Sequence, residues 1–280
     1  MIDDPIHEAV HLAIAEDLAE ASDLTTEAIV PERVRGFARL VAEQDAVLAG
    51  SEPCTRSFIE LDHDATVGWS AKDGDRVRPG DVVATVEGML RGILTAERAA
   101  LNFVQRLSGV ATLTDAFVQR AGGVEIRDTR KTTPGLRFLE KAAVRAGGGA
   151  NHRMGLSDAY LIKDNHIAVA GSVTEAIARA RAAHPSLWIE IECDTLEQVH
   201  QAIEAGAHEL LLDNMDLATL TEAVRLAEGR AKTEASGGVT LSTIGDIART
   251  GVGSISVGAL THSAPAVDFS LEVDGDAPRG

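Results

Sequence analysis

Two carboxylates stand two residues apart in a strongly apolar run, Glu190 and Glu192 in LWIEIEC, residues 187–193. In an extended segment they share one face and leave Ile191 on the other. Carboxylates are seldom buried without partners, so a strand carrying both needs a facing lysine, arginine or metal ion. Glu192, nearer the end of the run, is the better functional candidate, and Glu190 reads as a structural ion-pair partner. Cations are close in sequence. Lys163 closes the run AYLIK, where an unpaired ammonium is costly to bury. Between Arg127 and His166 the chain carries eight Lys or Arg against four Asp or Glu, a net +4, with His152 and His166 in addition. Arg137, Lys141 and Arg145 repeat at i,i+4 and read as one solvated helix face. Arg130, Lys131, His152, Arg153 and Lys163 obey no helical period and sit in loops rich in Gly, Thr and Asn. That pattern describes a local pocket for a small polyanion, gripped by planar guanidinium groups.

A second anion site is suggested by EASGG, residues 234–238, and by Gly258. Ser236 offers a hydroxyl, and Gly237 an accessible backbone N–H, as phosphate-binding loops at helix N-termini do. Taken alone, such glycines equally mark tight turns, and Gly147-Gly148-Gly149 reads as a turn or a close-packing feature.

These residues need a scaffold that brings them together. From residue 124 onward, short β-rich runs at 124–127, 159–163, 187–193, 209–213, 232–235 and 254–259 alternate with Ala- and Leu-rich helical segments. Strands alternating with helices imply a parallel sheet, closed as an α/β barrel or open as a doubly wound sheet. The runs end in Lys163 and Asp213, carry Glu190 and Glu192, contain Gly258, or lead into Arg130-Lys131 and Ser236-Gly237. A barrel gathers such ends at one mouth, which favours it over a doubly wound sheet with one switch point. The first hundred residues are mixed. Val10, Ile14 and Leu18 mark an amphipathic helix, and Asp73-Gly74 and Pro79-Gly80 punctuate alternating runs as turns do. A long helix is expected from about Ala96 to Arg120, with Leu101, Val104, Leu107 and Val110 on one side. Residues 66–92 resemble the strand-and-turn pattern of biotinyl and lipoyl carriers, but Glu87-Gly88-Met89, where a carrier's hairpin tip would fall, offers no acceptor lysine.

The 280 residues suit one large or two ordinary domains. A net charge of −17 with 3% aromatic residues excludes proteins that hold nucleic acid by bulk electrostatics or base stacking. Thr250–Val267 lacks Asp, Glu, Lys and Arg but is broken by Gly251, Gly253, Gly258 and Pro265, so no membrane span is expected. The N-terminus has two acids and no basic region, unlike a signal peptide. Two cysteines, Cys54 and Cys193, make no disulfide framework, and a cytoplasmic location is expected.

The segment DTRKTTPGLRFLEKAAVRAGGGANHRMGLSDAYLIKDNHI, residues 128–167, closely resembles quinolinate phosphoribosyltransferase, also called nicotinate-nucleotide pyrophosphorylase (carboxylating). So do ERAALNFVQRLSGVAT (97–112), EIECDTLEQVHQAIEAGAHELLLDN (190–214) and EASGGVTLSTI (234–244). The likeness runs from EDLAEASDLTT to APAVDFSLEV; Ser22 stands where that family is expected to have glycine. The resemblance implies an N-terminal α/β sandwich domain over residues 1–108 and an incomplete, about seven-stranded parallel α/β barrel over 109–265. A C-terminal strand at about 266–275 would rejoin the first domain. It implies at least a homodimer in which Arg98 reaches into a neighbouring subunit's site.

The implied reaction joins quinolinate to 5-phosphoribosyl-1-pyrophosphate, giving nicotinate mononucleotide, pyrophosphate and CO2, with Mg2+, a step of NAD biosynthesis. In it Arg130, His152, Arg153 and Lys163 would hold the two carboxylates, with Arg98 from the neighbour. Lys131 and Lys163 would face the pyrophosphate, and Glu192 and Asp213 the ribose hydroxyls and, directly or indirectly, the Mg2+. Ser236, Gly237 and Gly258 would bind the 5-phosphate. Lys131, Lys163, Glu192 and Asp213 are thus the expected catalytic residues. Alternatives are a phosphoribosyltransferase acting on another pyridine, a molybdenum-associated paralogue, and a Schiff-base aldolase using Lys163.

Overall fold

The computed structural model describes residues 4–19 and 21–274. In chain order the elements are α1 Pro5–Leu18, α2 Leu24–Ile29, β1 Arg35–Ala42, β2 Ala46–Val47, α3 Ser51–Leu61, β3 Thr66–Trp69, β4 Arg76–Val77, β5 Val82–Met89 and α4 Leu90–Ala121. There follow β6 Glu125–Arg127, α5 Arg137–Ala146, β7 Tyr160–Ile162, α6 Asp164–Ala170, α7 Val173–Ala183, β8 Ile189–Cys193, α8 Leu196–Glu204 and β9 Glu209–Asp213. The chain ends with α9 Leu217–Ala227, β10 Lys232–Ser236, α10 Ile244–Ala248, β11 Ser254–Ser256, α11 Ala259–His262 and β12 Phe269–Val273.

Two compact units result. One holds Met1–Asp115, Thr132–Gly148 and Thr261–Gly280, so far as these are described; the other holds Ala116–Lys131 and Gly149–Leu260. The division between these units falls inside α4, after Asp115, and α5 belongs to the first unit.

The first unit is built on an antiparallel sheet of order β12-β1-β5-β3, with β2 and β4 paired separately. Its C-terminal strand pairs Ala42 with Phe269 and Ala38 with Val273, so the chain end closes the sheet edge beside β1. The expected strand reached 275, which lies outside the described residues. Leu40, Phe58, Val86, Ile93, Leu101, Val104 and Phe269 form one core. Each such side chain contributes roughly 1.5–3 kcal/mol by leaving water. α4 begins six residues before the expected start, and Leu101, Val104, Leu107 and Val110 are all buried along it.

Three local expectations change in this unit. Lys141 is fully buried rather than solvated, because α5 turns it inward beside Glu140, while Arg145 stays exposed. Glu87-Gly88-Met89 forms no hairpin tip; it completes β5 and runs directly into α4. Gly147 is a close-packing glycine, since a Cβ there would lie 2.3 Å from the Ala111 carbonyl oxygen.

The second unit is a parallel sheet of order β6-β11-β10-β9-β8-β7. β11, the last strand in sequence, pairs with β6, the first, which a barrel requires and a doubly wound sheet does not. A single parallel bridge from Arg127 to Ala150 adds a seventh strand position on the other side of β6. The barrel is therefore incomplete, open between residue 150 and β7. Helices start where side chains supply the missing acceptors: Ser172 caps α7, Asp216 caps α9, and Thr195 forms a capping box with Gln198 on α8.

Register decides which residues face inward. Ile189, Ile191 and Cys193 on β8 are buried under the outer helices, so Glu190 and Glu192 point into the barrel. Glu192 lies beside Leu211, Leu211 beside Glu234, and Asp213 beside Ser236. Glu234 in turn lies beside Ser254. The strand order thus turns a scattered set of polar residues into one interior surface.

Candidate active site

A cavity of about 400 Å³ opens at the C-terminal ends of these strands. Arg130, Lys131, His152, Arg153, Lys163, Glu192, Asp213 and Ser236 all line it, with Thr129, Leu161, Leu211, Glu234 and Ser256. Eight of the residues expected from sequence are thereby brought together. Gly237 and Gly258 follow β10 and β11 and do not line the cavity itself; Arg98 is an exposed residue of α4 in the first unit. A larger cavity of about 780 Å³ lies at the opposite strand ends, lined by Glu125, Arg127, Glu209 and Lys232. Barrel chemistry is built on strand C-termini, so the smaller cavity is the candidate.

The cationic side of the site is assembled on buried Asp128, which follows β6. Its carboxylate accepts the His152 backbone N–H at 2.9 Å and Asn151 Nδ2 at 2.5 Å. This fastens the 151–153 loop to the strand and aims His152 and Arg153. Arg153 Nη1 donates to the Ala159 carbonyl at 3.2 Å, while its Nε is buried with no hydrogen-bond partner. Burial and the neighbouring Arg130 guanidinium both push Arg153 below the usual arginine pKa, a sign of like charges held close together. A bound anion relieves that repulsion.

The acidic side lies across the mouth. Lys163, at the start of α6, donates from Nζ to Glu192 Oε2 at 3.1 Å. Asn214, in the left-handed region at φ 53°, donates from Nδ2 to Asp213 at 2.6 Å and orients that carboxylate. Gly237 has φ +91°, and a Cβ on it would meet Asn214 Oδ1 at 2.2 Å. Gly237→Ala should therefore displace the loop after β10 together with Asn214. The expected result is weaker binding of a phosphate-bearing substrate with little change for one lacking phosphate, read by titration calorimetry.

Beneath the cavity runs a buried ionic network in which Arg127, Glu209 and Glu234 join the expected Glu190 and His152. Arg127 donates to Glu125 at 2.6 Å, Glu209 at 2.8 Å and Glu234 at 2.8 Å. Burial opposes its charge, but these three carboxylates hold its pKa above the ordinary arginine value. His152 Nε2 lies 2.9 Å from Glu190 Oε2 and 3.8 Å from Glu234 Oε1. Burial lowers the His152 pKa, but the hydrogen bond and charge of Glu190 outweigh it and the net shift is upward. Glu190 thus has the ion-pair role expected of it, with His152 as partner. The signal for Glu234 was present in EASGG: it precedes Ser236 by two residues and so shares its inward face.

Two groups have the spacing of metal ligands. Glu192, Asp194 and Asp213 offer three carboxylate oxygens within 4.8 Å of one another, as do donor atoms of His152, Glu190 and Glu234. The second group is unsuited. The backbone N–H of Arg153 donates to His152 Nδ1 at 2.8 Å, which puts the proton of a neutral ring on Nε2 and leaves no lone pair for a metal. The first is an all-oxygen set of the kind hard cations take.

The chain matches two family models in succession: Quinolinate phosphoribosyl transferase, N-terminal domain, over residues 23–108, and Quinolinate phosphoribosyl transferase, C-terminal domain, over 110–272. It is 41% identical over 95% of its length to the Nicotiana tabacum protein named quinolinate phosphoribosyltransferase (decarboxylating) 1b, covering 81% of that protein. A Bacillus subtilis protein named probable nicotinate-nucleotide pyrophosphorylase (carboxylating) is 44% identical, with 92% of this chain and 90% of the relative covered. The solved nicotinate-nucleotide pyrophosphorylase of Francisella tularensis superimposes with a TM-score of 0.91 at 37% identity, over 98% of this chain and 97% of that one.

Proposed function

The chain belongs to the quinolinate phosphoribosyltransferase family, and from that premise we propose how its site joins quinolinate to 5-phosphoribosyl-1-pyrophosphate, releasing pyrophosphate and CO2 to give nicotinate mononucleotide. The observation that carries the residue assignment is the crowding of Arg153 by Arg130 on one wall, opposite Glu192 and Asp213 on the other. A dianion fits the first wall, and a ribose developing positive charge fits the second.

Arg130, Arg153 and Lys163 hold the two carboxylates of quinolinate. His152 joins them chiefly through Arg153, whose backbone N–H it accepts. Lys131 and Lys163 face the pyrophosphate leaving group. Glu192 and Asp213 hold the ribose hydroxyls, and their charge favours an oxocarbenium-like transition state. Ser236, Gly237 and Gly258 bind the 5-phosphate through hydroxyl and backbone donors. The pyridine nitrogen attacks the anomeric carbon while pyrophosphate departs, with positioning and electrostatics as the main contributions and no covalent enzyme intermediate. Ribosylation makes the ring cationic, so the adjacent carboxylate can leave as CO2.

Glu192 and Asp213, with Asp194 beside them, suit Mg2+, which when bound supplies charge to stabilise the leaving pyrophosphate. Chelation should abolish activity and added Mg2+ should restore it; full activity in excess chelator would remove Mg2+ from the account.

Calorimetry tests the dicarboxylate assignment. Quinolinate should bind at least ten-fold more tightly than nicotinate, since one charge-assisted contact is worth about 1.5–3 kcal/mol. Equal affinities would contradict it.

The same proposal includes a homodimer or higher homo-oligomer with Arg98 serving a neighbouring site. Its support is family membership and the exposure of Arg98. Mixing Arg98→Ala chains with Lys163→Ala chains should restore activity, because one site in a mixed dimer is then intact. No recovery under conditions of demonstrated subunit exchange would place Arg98 in its own chain's site. A cytoplasmic location belongs to the proposal too, supported by two buried free cysteines. Among the described residues no helix is long and apolar enough to cross a membrane.

A further inference from the structure

The reaction proposed above has a second half that consumes a proton. When CO2 leaves the ring, the electron pair of the broken bond stays on the ring carbon, and a C–H bond must form there. Arginine is a poor donor because its guanidinium stays protonated at any working pH. Lys163 is engaged with Glu192 at 3.1 Å.

Glu234 differs from every other acid of the cavity. Glu192 is held by Lys163, and Asp213 by Asn214. Glu234 is completely buried on β10, yet lines the cavity beside His152 and Ser256. Its Oε2 faces Arg127 at 2.8 Å and Ser254 at 3.4 Å, whereas its buried Oε1 has no hydrogen-bond partner. An ionised carboxylate with a buried oxygen left unsatisfied is costly. The local charge balance also opposes ionisation: Glu234 shares the Arg127 guanidinium with Glu125 and Glu209, and the neighbouring His152 ring is held at 2.9 Å by Glu190. A neutral acid at Glu234, with its proton on Oε1, resolves both problems.

We propose that Glu234 supplies the proton that replaces the departing carboxylate. This deepens the quinolinate reading and rests on it. As CO2 leaves, the Oε1–H bond breaks, its proton takes up the electron pair on the ring carbon, and Glu234 becomes a carboxylate paired with Arg127. Solvent returns the proton after product leaves.

Burial and then the Glu190 charge push the Glu234 carboxyl up to about 7, while the His152 and Arg127 charges and a hydrogen bond from Ser256 oppose the shift. The donating form is therefore present below neutrality and is lost as pH rises through about 7.

Wild type, Glu234→Gln and Glu234→Asp are compared by rapid quench, with pyrophosphate and CO2 followed separately, and by pH–rate profiles. Wild type should release both products together and lose kcat toward alkaline pH. Glu234→Gln should keep both KM values within about three-fold and give a pyrophosphate burst with CO2 delayed at least ten-fold. It should also lack the alkaline decline and the infrared band of a protonated carboxylic acid. Glu234→Asp should retain that decline with partial activity, which also tests the proposal if the Gln chain fails to fold. Unchanged CO2 release and pH profile in the Gln variant would overturn the proposal. So would an Asp variant with no alkaline decline. Wild type that forms neither product would overturn the functional reading itself, and the donor with it.

Discussion

Arg153→Ala should raise the KM for quinolinate about ten- to a hundred-fold and leave that for 5-phosphoribosyl-1-pyrophosphate nearly unchanged. Removing a charge-assisted contact to a buried anion costs about 1.5–3 kcal/mol, and each 1.36 kcal/mol is tenfold. The split between substrates follows from geometry. Arg153 lies on the loop fastened by Asp128, against Arg130, while Lys163, Glu192 and Asp213 form the opposite wall. Because Arg153 and Arg130 repel one another in the absence of an anion, losing one also relieves the other, so the effect should fall toward the lower end. Steady-state kinetics with each substrate varied in turn decides this. Equal increases in both KM values would contradict the assignment.

The second large effect concerns folding. Arg127→Leu removes the one guanidinium shared by Glu209 and Glu234, which are buried, and by exposed Glu125. Breaking a buried ion pair from one side costs about 3–5 kcal/mol, since the remaining charge must be desolvated alone. The sign of its pH dependence is fixed. Arg127 is one of the charges that restrain the raised Glu234 carboxyl, so without it Glu234 holds its proton still more tightly in the folded state and the variant is least destabilised at acid pH. Its deficit against wild type should grow as pH rises through the range in which Glu234 ionises. Urea titrations of both proteins below and above neutrality measure this; a deficit independent of pH would show that these carboxylates do not remain unpaired.

Much of the site was legible because parallel strands repeat one rule. A strand buried on both faces shows its inward residues only where they are polar, so Glu190, Glu192, Lys163 and Asp213 stood out against apolar neighbours. The same rule could have reached Glu234 from Ser236 by a step of two, but the glycines of EASGG drew attention to the loop instead. Asp128 and Arg127 were hidden for a different reason. Their partners lie far along the chain: Asn151 and His152 reach Asp128 through the bridge from Ala150 to Arg127, and Glu209 and Glu234 reach Arg127 only when β11 closes on β6. Lys141 shows the limit of helical spacing. The three-residue i,i+4 series predicts one solvated face, yet α5 buries its central member and exposes its last, because spacing defines a stripe and not the surface that the stripe meets.

The most direct test of the central claim is the stoichiometry of CO2. With purified protein, quinolinate labelled in the carboxylate beside the ring nitrogen, 5-phosphoribosyl-1-pyrophosphate and Mg2+, one CO2 should appear for each pyrophosphate released. Pyrophosphate and nucleotide formed without CO2, or from nicotinate as readily as from quinolinate, would contradict it.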